Sequence, residues 1–346
     1  MSFKNLEEYE ILLEGFTVTG GLVAEADGAG ILISWSSPTL RHLAVTENYG
    51  IGDNVTGNLN GGGISIDTGD PVIEFCVISR NSARFGGGIF MSGSNGAVTN
   101  CRIEENVAYN GGGGIYGASS NPSIAHVIIS SNESLGSGGG LHWDFGGGSF
   151  SHCVFSDNFA QTVGGGIYLL TAPTSFTHCV IAANTSSDEG GGFFVMQLTD
   201  ASVSNSVIAY NAPYNVYGTG INRMAFRNSD IYNPAGWPDV MRMFIGPDNL
   251  RTEPAFLTYE DGLPTDFHLA QGSPLIGRGG SRSLDVDGSK ADIGCYGGAD
   301  AAQRDMDGDT VPDWFWPGTL EMAPVGFDPE DYDCDERGGA RQQCGD

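Results

Sequence analysis

The sequence predicts an all-β fold: a right-handed, single-stranded parallel β-helix of about eight coils, each of about 26 residues, followed by an irregular acidic C-terminal extension. The first observation is a segment written twice. "SFSHCVFSDNFAQTVGGGIYLL" at 149–170 returns as "SFTHCVIAANTSSDEGGGFFVM" at 175–196, 26 residues on. The second is a glycine-led marker whose apolar residue falls at Ile31, Ile64, Ile89, Ile115, Leu141, Ile167, Phe193 and Ile221, the first and last with imperfect glycines. The third is an asparagine that keeps the same period at Asn48, Asn81, Asn106, Asn132, Asn158, Asn184 and Asn211. Two markers holding one period over seven units define a solenoid.

Each unit reads as strands and turns. Five residues before the asparagine stand Leu43, Cys76, Cys101, Val127, Cys153, Cys179 and Ser206, and three before it stand Val45, Ile78, Ile103, Ile129, Phe155, Ile181 and Ile208. That alternation is the period of a strand, and it recurs after the glycines in "GGGISID" and "GGGIFMS". A unit of this length holds no helical pattern. The glycine column suits a corner where side chains would collide. Asparagine also visits the left-handed region, and a stacked column of amides can pair along the axis. The 54 glycines are no disordered linker, because they keep register with a 40% apolar pattern. Handedness follows from the rule for parallel crossovers. One coil cannot fold alone, so stability comes from neighbours and capped ends. The chain divides into coils at 1–230, last coils and a C-terminal cap at 231–297, and an acidic calcium-binding extension at 298–346.

Composition narrows the partners. A net charge of −27 argues against nucleic acid and anionic membranes, which need a basic face. No apolar stretch reaches 18 residues, so no transmembrane helix is expected. "MSFKNLEEYEILLEGF" has no signal-peptide core. "ILLEGFTVTGG" already reads as a coil, so the chain is expected to be a fragment that begins inside a longer precursor. Cys76, Cys101, Cys153 and Cys179 share one inward position and read as buried small hydrophobes. Cys334 and Cys344, in the tail, are the better disulfide candidates.

The chemistry-bearing patterns are few. In "DMDGDTVPD", Asp305, Asp307, Asp309 and Asp313 stand at positions 1, 3, 5 and 9 of an oxygen-ligand loop, with the Val311 carbonyl at position 7. Four carboxylates so close call for a divalent cation, and Ca²⁺ is the expected one. Position 12 is Trp316, not the bidentate Glu of an EF-hand. Asp331, Asp333 and Asp335 form a weaker second cluster. On the repeat, the residue after the apolar marker is expected to point outward, which lines up Phe90, Tyr116, His142, Tyr168 and Phe194 on five successive coils. Such a column offers a surface for sugar rings or a partner protein. Its alternatives are cover by another part of the chain, or stacking that merely stabilises the sheet. His142 and Asp144 are weak catalytic candidates, since the other carboxylate of that face, Asp67, lies several coils away. His42, His126, His152 and His178 share a position that Asn100 and Asn205 also occupy, which favours a polar bend residue over a transition-metal column.

The repeats resemble right-handed parallel β-helix proteins that bacteria display or secrete, and the glycine-led marker resembles that of chlamydial-type polymorphic outer membrane proteins. "NLRTEPAFLTYEDGLPTDFHLAQGSPLIGRGG" with "DVDGSKADIGCYGG" is similar to the closing segment of choice-of-anchor β-helix proteins, except that Gly277 and Arg278 replace the usual Asp-Ala and Cys295 an Ala. The aspartate loop resembles thrombospondin type 3 and dockerin-like calcium repeats. These resemblances imply an extracellular or cell-surface bacterial protein. The leading expectation is a structural or adhesive solenoid module with a calcium-loaded C-terminal segment, meeting extracellular polysaccharide or a surface protein. The alternative is a polysaccharide-binding or polysaccharide-cleaving protein of lyase or hydrolase type, using the aromatic face. The sequence leans away from an enzyme, because no second carboxylate or basic residue stands beside His142.

Overall fold

In the computed structural model, the structure describes residues 1–4, 11–24, 26–50, 59–197, 199–220, 224–234, 240–241, 246–260, 262–281, 283–285 and 288–298. All regular elements among them are strands. The strands following the glycine marker, from Ser2–Lys4 and Ile31–Ser34 through Phe193–Met196 and Val216–Thr219 to Val240–Met241, pair in parallel as one sheet of ten strands. A second sheet of sixteen strands carries two segments from most coils, such as Ser149–Ser151 and Val154–Ser156. A third, of seven, carries the short segments after the asparagines. The chain is therefore a parallel β-solenoid of about eight turns, as the periodicity predicts.

Register follows the repeat. Ile64, Ile89, Ile115, Leu141, Ile167 and Phe193 are successive backbone partners. The next partner is Val216, not the expected Ile221, which lies outside the described residues. The coil after Phe193 is shorter than its neighbours, so the imperfect glycines at 218 and 220 mislead. The interior is a single stack of the predicted columns, and Cys76, Cys101, Cys153 and Cys179 lie buried in it as free thiols. Gly117 shows how the stack is filled: a Cβ there would strike the ring of Trp143, the fully buried side chain one coil on.

The asparagine column forms a buried amide ladder. Asn81, Asn106, Asn132 and Asn158 each pass an Nδ2–H to the Oδ1 of the next asparagine at 2.8–3.0 Å. The same Oδ1 accepts the backbone N–H of the preceding asparagine, and the second Nδ2–H goes to a carbonyl such as Ile103 O, 2.8 Å from Asn132. The left-handed residue is not the asparagine but the one before it, including Glu105 (φ 56°), Ser131 (φ 54°) and Asp157 (φ 56°). The asparagine side chain is needed inside, so its predecessor turns the corner. At the glycine corner the first glycine is left-handed, for example Gly138 (φ 68°). The next, Gly139, has no room for a Cβ between the carbonyls of Gly165 and Phe159.

The histidine position is a one-residue bend between the two segments of the large sheet. His42, Phe75, Asn100, His126, His152, His178 and Asn205 all have φ of 51–54°, a conformation that His and Asn adopt more readily than most residues. From residue 250 the chain leaves the coils. A hairpin, Phe256–Glu260 with Leu263–Leu269, and the residues after it lie along the outside of the large sheet. There Phe256, Leu275, Ile293 and Cys295 pack on Val154, Val180 and Val207.

Candidate functional site

The aromatic column begins with strand alternation. In "GGGIFMS" and its repeats the apolar marker points inward, so the next side chain points out. Backbone pairing sets Phe90, Tyr116, His142, Tyr168, Phe194 and Tyr217 on consecutive rungs. Their rings stack on one another, with centroids 5.5, 4.8, 4.3, 5.7 and 5.6 Å apart along the column and planes within 3–32° of parallel. Phe85 adds a tilted contact to Tyr116 at 4.8 Å.

The rings point outward as expected, and their stacking limits how much of them meets solvent. Tyr168 and Phe194 are only 8% and 7% exposed, while Phe90 and Tyr116 are half-buried. Between the end rungs each ring face meets a neighbouring ring, leaving mainly edges toward solvent. The cause is geometric: rungs about 4.8 Å apart bring flat side chains of one column close to ring-stacking distance. Tyr217, sixth in the stack, continues it past the five predicted positions. Its place follows from the short coil that displaced the marker to Val216.

At the column's centre sits a hydrogen-bonded cluster. His142 and Asp144 leave the strand Leu141–Gly146 on the same side, and Nε2 lies 3.0 Å from Asp144 Oδ1. The other ring nitrogen, Nδ1, meets the Ser137 carbonyl at 3.2 Å. The Tyr116 hydroxyl donates to Asp144 Oδ2 at 2.5 Å. Burial alone pushes the Asp144 carboxyl up, but His142 and the Tyr116 hydroxyl outweigh it and hold it below the usual carboxylate range. The same hydrogen bond acts oppositely on Tyr116, whose phenol is pushed well up by burial and by Asp144. Tyr168 is raised too, by burial and then by Asp144. The arrangement keeps a carboxylate ionised and both its oxygens occupied.

A second carboxylate does not come near. Asp67, Ser92, Ala118 and Asp144 are successive partners, so Asp67 is three rungs from Asp144, about 14 Å at the inter-strand spacing. Glycosidase carboxylates stand within about 10 Å of each other. An open depression of about 400 Å³ lies on the large sheet instead, lined by Leu12, Thr39, Arg41, Val72 and Glu74. Its Arg41 and Glu74 pair with each other, Nε to Oε1 at 2.7 Å. Asp305, Asp307, Asp309, Val311 and Asp313, and the weaker Asp331, Asp333 and Asp335, lie outside the described residues, as do Cys334 and Cys344. Among the described residues no group of three His, Cys, Asp or Glu is arranged to hold a metal ion, and no helix is long and apolar enough to cross a membrane.

The covering segment gives the C-terminal motif residues structural work. In "DFHL", Asp266 and His268 pair at 2.6 Å and Leu269 packs against the outer cluster. In "DIGCY", Asp292 Oδ1 accepts the Gly277 N–H at 2.7 Å, and Ile293 and Cys295 are buried. Sequence reasoning missed that this segment covers the histidine bends, although a signal existed. The coils at Val154, Val180 and Val207 carry apolar residues on both strand faces, whereas the coil before His126 carries the pair Arg102 and Glu104 outward. A strand apolar on both faces is buried on both.

Fold and repeat together define an all-β parallel solenoid. Residues 23–181 match the model of a family described as "Right handed beta helix region". No curated protein matches the chain. A solved structure titled "The complex structure of XylC with xylose" aligns with 66% of this chain at 13% identity and a TM-score of 0.43. The chain spans 42% of that protein's length.

Proposed function

We propose that the chain is a secreted or surface-displayed bacterial solenoid that serves as a structural and adhesive module, with a Ca²⁺-binding C-terminal segment. The supporting observation is the self-satisfied column: its ring faces are spent on one another and both Asp144 oxygens on His142 and Tyr116. A catalytic site needs groups left free to meet substrate. The charge of −27 further favours a solvated, extended surface over a polyanion-binding one. The calcium assignment rests on the Asp305–Asp313 spacing, where four carboxylates and one carbonyl supply the oxygen set such an ion takes. A polysaccharide-binding reading survives at the less covered end of the column, where Phe90 and Tyr116 remain half-buried. Glycan-array binding with turnover assays on any hits separates the two. The module reading expects adhesion or no glycan contact, and no turnover; cleavage lost in Asp144→Asn would replace it with an enzyme.

A further inference from the structure

The ring column has a gap near its start. Its first rungs run Leu32, Ser65, Phe90 and Tyr116, so a small hydroxyl stands where the following coils place rings. Alternation turns Ser65 outward between the inward Ile64 and Ile66. Ser65 is nevertheless fully buried, and its Oγ has no hydrogen-bond partner. The corner beside it explains the burial, since a Cβ on Gly61 would come within 2.6 Å of Ser65 Cα. Asp27 is held on that corner, where its Oδ1 accepts the Asn60 N–H at 2.9 Å. Asp27 also takes the repeat position of Phe85, four residues before the marker. Phe85 reaches the ring of Tyr116 on the next coil, and the same step from Asp27 leads to Ser65.

The side chains around this hydroxyl are rich in oxygen. Asp67 leaves the strand Ile64–Asp67 on the same side as Ser65, and its rung partners are Ser34 and Ser92. Rungs lie about 4.8 Å apart, and alternate residues of a strand about 6.6 Å apart. Three hydroxyls therefore surround one exposed carboxylate, and Asp27 brings a second. Burial first, and more weakly the Asp67 charge, raise the Asp27 carboxyl against its hydrogen bonds to Asn60. Three rungs on, the equivalent carboxylate of Asp144 is met by the His142 ring and the Tyr116 hydroxyl. Beside Asp67 the same positions hold serines.

We propose that Asp27 and Asp67 hold a hydrated divalent cation of the Mg²⁺ class, with the Ser65 hydroxyl beneath it. Like-charged carboxylates over a buried, unpartnered hydroxyl are relieved by a cation whose charge meets the first and whose retained water meets the second. Ca²⁺ takes about six to eight oxygens, more than this cluster offers, whereas Mg²⁺ binds through one or two carboxylates and keeps several waters. The ion ties the corner at Asp27 to the strand Ile64–Asp67, and so staples the first coils together where the ring stack has not yet begun.

Mn²⁺, which takes the same oxygen ligands as Mg²⁺, is the paramagnetic probe. Titrated into the isotope-labelled full chain, it should broaden the amide signals of residues 27, 61, 65–67 and 92 while those of coils 141–197 stay sharp. Excess Mg²⁺ should restore them. Asp67→Asn, at an exposed carboxylate, should raise the Mn²⁺ concentration required by about tenfold or more. Ser65→Ala, which removes only the buried hydroxyl, should raise it by a smaller factor. Broadening that spares residues 27 and 65–67, that Mg²⁺ does not reverse, or that persists unchanged in Asp67→Asn would overturn the site. Unchanged binding in Ser65→Ala would overturn the part given to the hydroxyl. If Asp67→Asn does not fold, Asp27→Asn decides by the same measurement: a tenfold weakening supports the site, and unaltered broadening removes it.

Discussion

Asn132 shows how much one side chain carries here. Its Oδ1 accepts from Asn106 N–H and Nδ2–H, and its own amide donates to Ile103 O and Asn158 Oδ1. Asn132→Ala orphans several buried groups, at about 1–3 kcal/mol each. The urea midpoint should drop sharply; a midpoint within error of wild type would mean water replaces the ladder. The sequence foresaw the amide column but put the left-handed turn on the asparagine, because a repeat position reveals composition and not φ. Asp144 makes a second residue-scale prediction. Its folded carboxyl sits below the usual range, so the stability it lends is present above about 3.9 and disappears as pH falls through the folded value. Tyr116→Phe removes one hydroxyl donor and should move the Asp144 titration upward in a carboxyl NMR experiment. No movement would show that His142 alone sets it.

At the scale of elements, the ring column was legible as a column but not as a stack. Phe90 to Phe194 followed from period and alternation alone. That the rings lie on one another, burying Tyr168 and Phe194, depends on rotamers and rung spacing. Tyr116→Ala/Tyr168→Ala should therefore lower the melting temperature by several degrees, the Tyr168 cavity alone costing about 3 kcal/mol or more. The glycan-binding profile should be the same as that of the wild type. Lost glycan binding at an unchanged melting temperature would restore the outward surface that the alternation suggests. The cysteine column behaves as expected from its inward position. Cys101 and Cys153 are pushed well up by burial and their neighbouring thiols, and Cys295, on the covering segment, likewise by burial. Native labelling with a thiol reagent should be slow at all three, and fast modification of Cys153 would contradict its place in the core.

For the whole molecule, two parts should respond independently. Calcium titration calorimetry on the full chain should register binding that Asp307→Ala abolishes, with the exchange protection of coils 59–197 unaltered by chelator, since repeats depend on their neighbours alone. Heats equal to buffer dilution would remove calcium from the proposal. Acid should act on the other part. His152, held low in the fold by burial, favours the unfolded state as pH falls from about 6.5 toward about 3, so stability drops by roughly 1.4 kcal/mol per pH unit across that window. The two responses separate calcium-dependent from proton-dependent behaviour of the C-terminal half.

By itself the sequence determined the solenoid, its period, its inward columns and its amide ladder. In a repeat, like residues stack on like, and one strand's alternation dictates all the others. Tertiary structure alone decided where that logic stops. The coil after Phe193 shortens and seats Val216 rather than Ile221, the rings of five predicted residues close upon one another, and residues 250–298 fold back over the histidine bends. Each of these is set by contacts between segments far apart in sequence or by side-chain packing across coils, and periodicity within the chain carries no information about either.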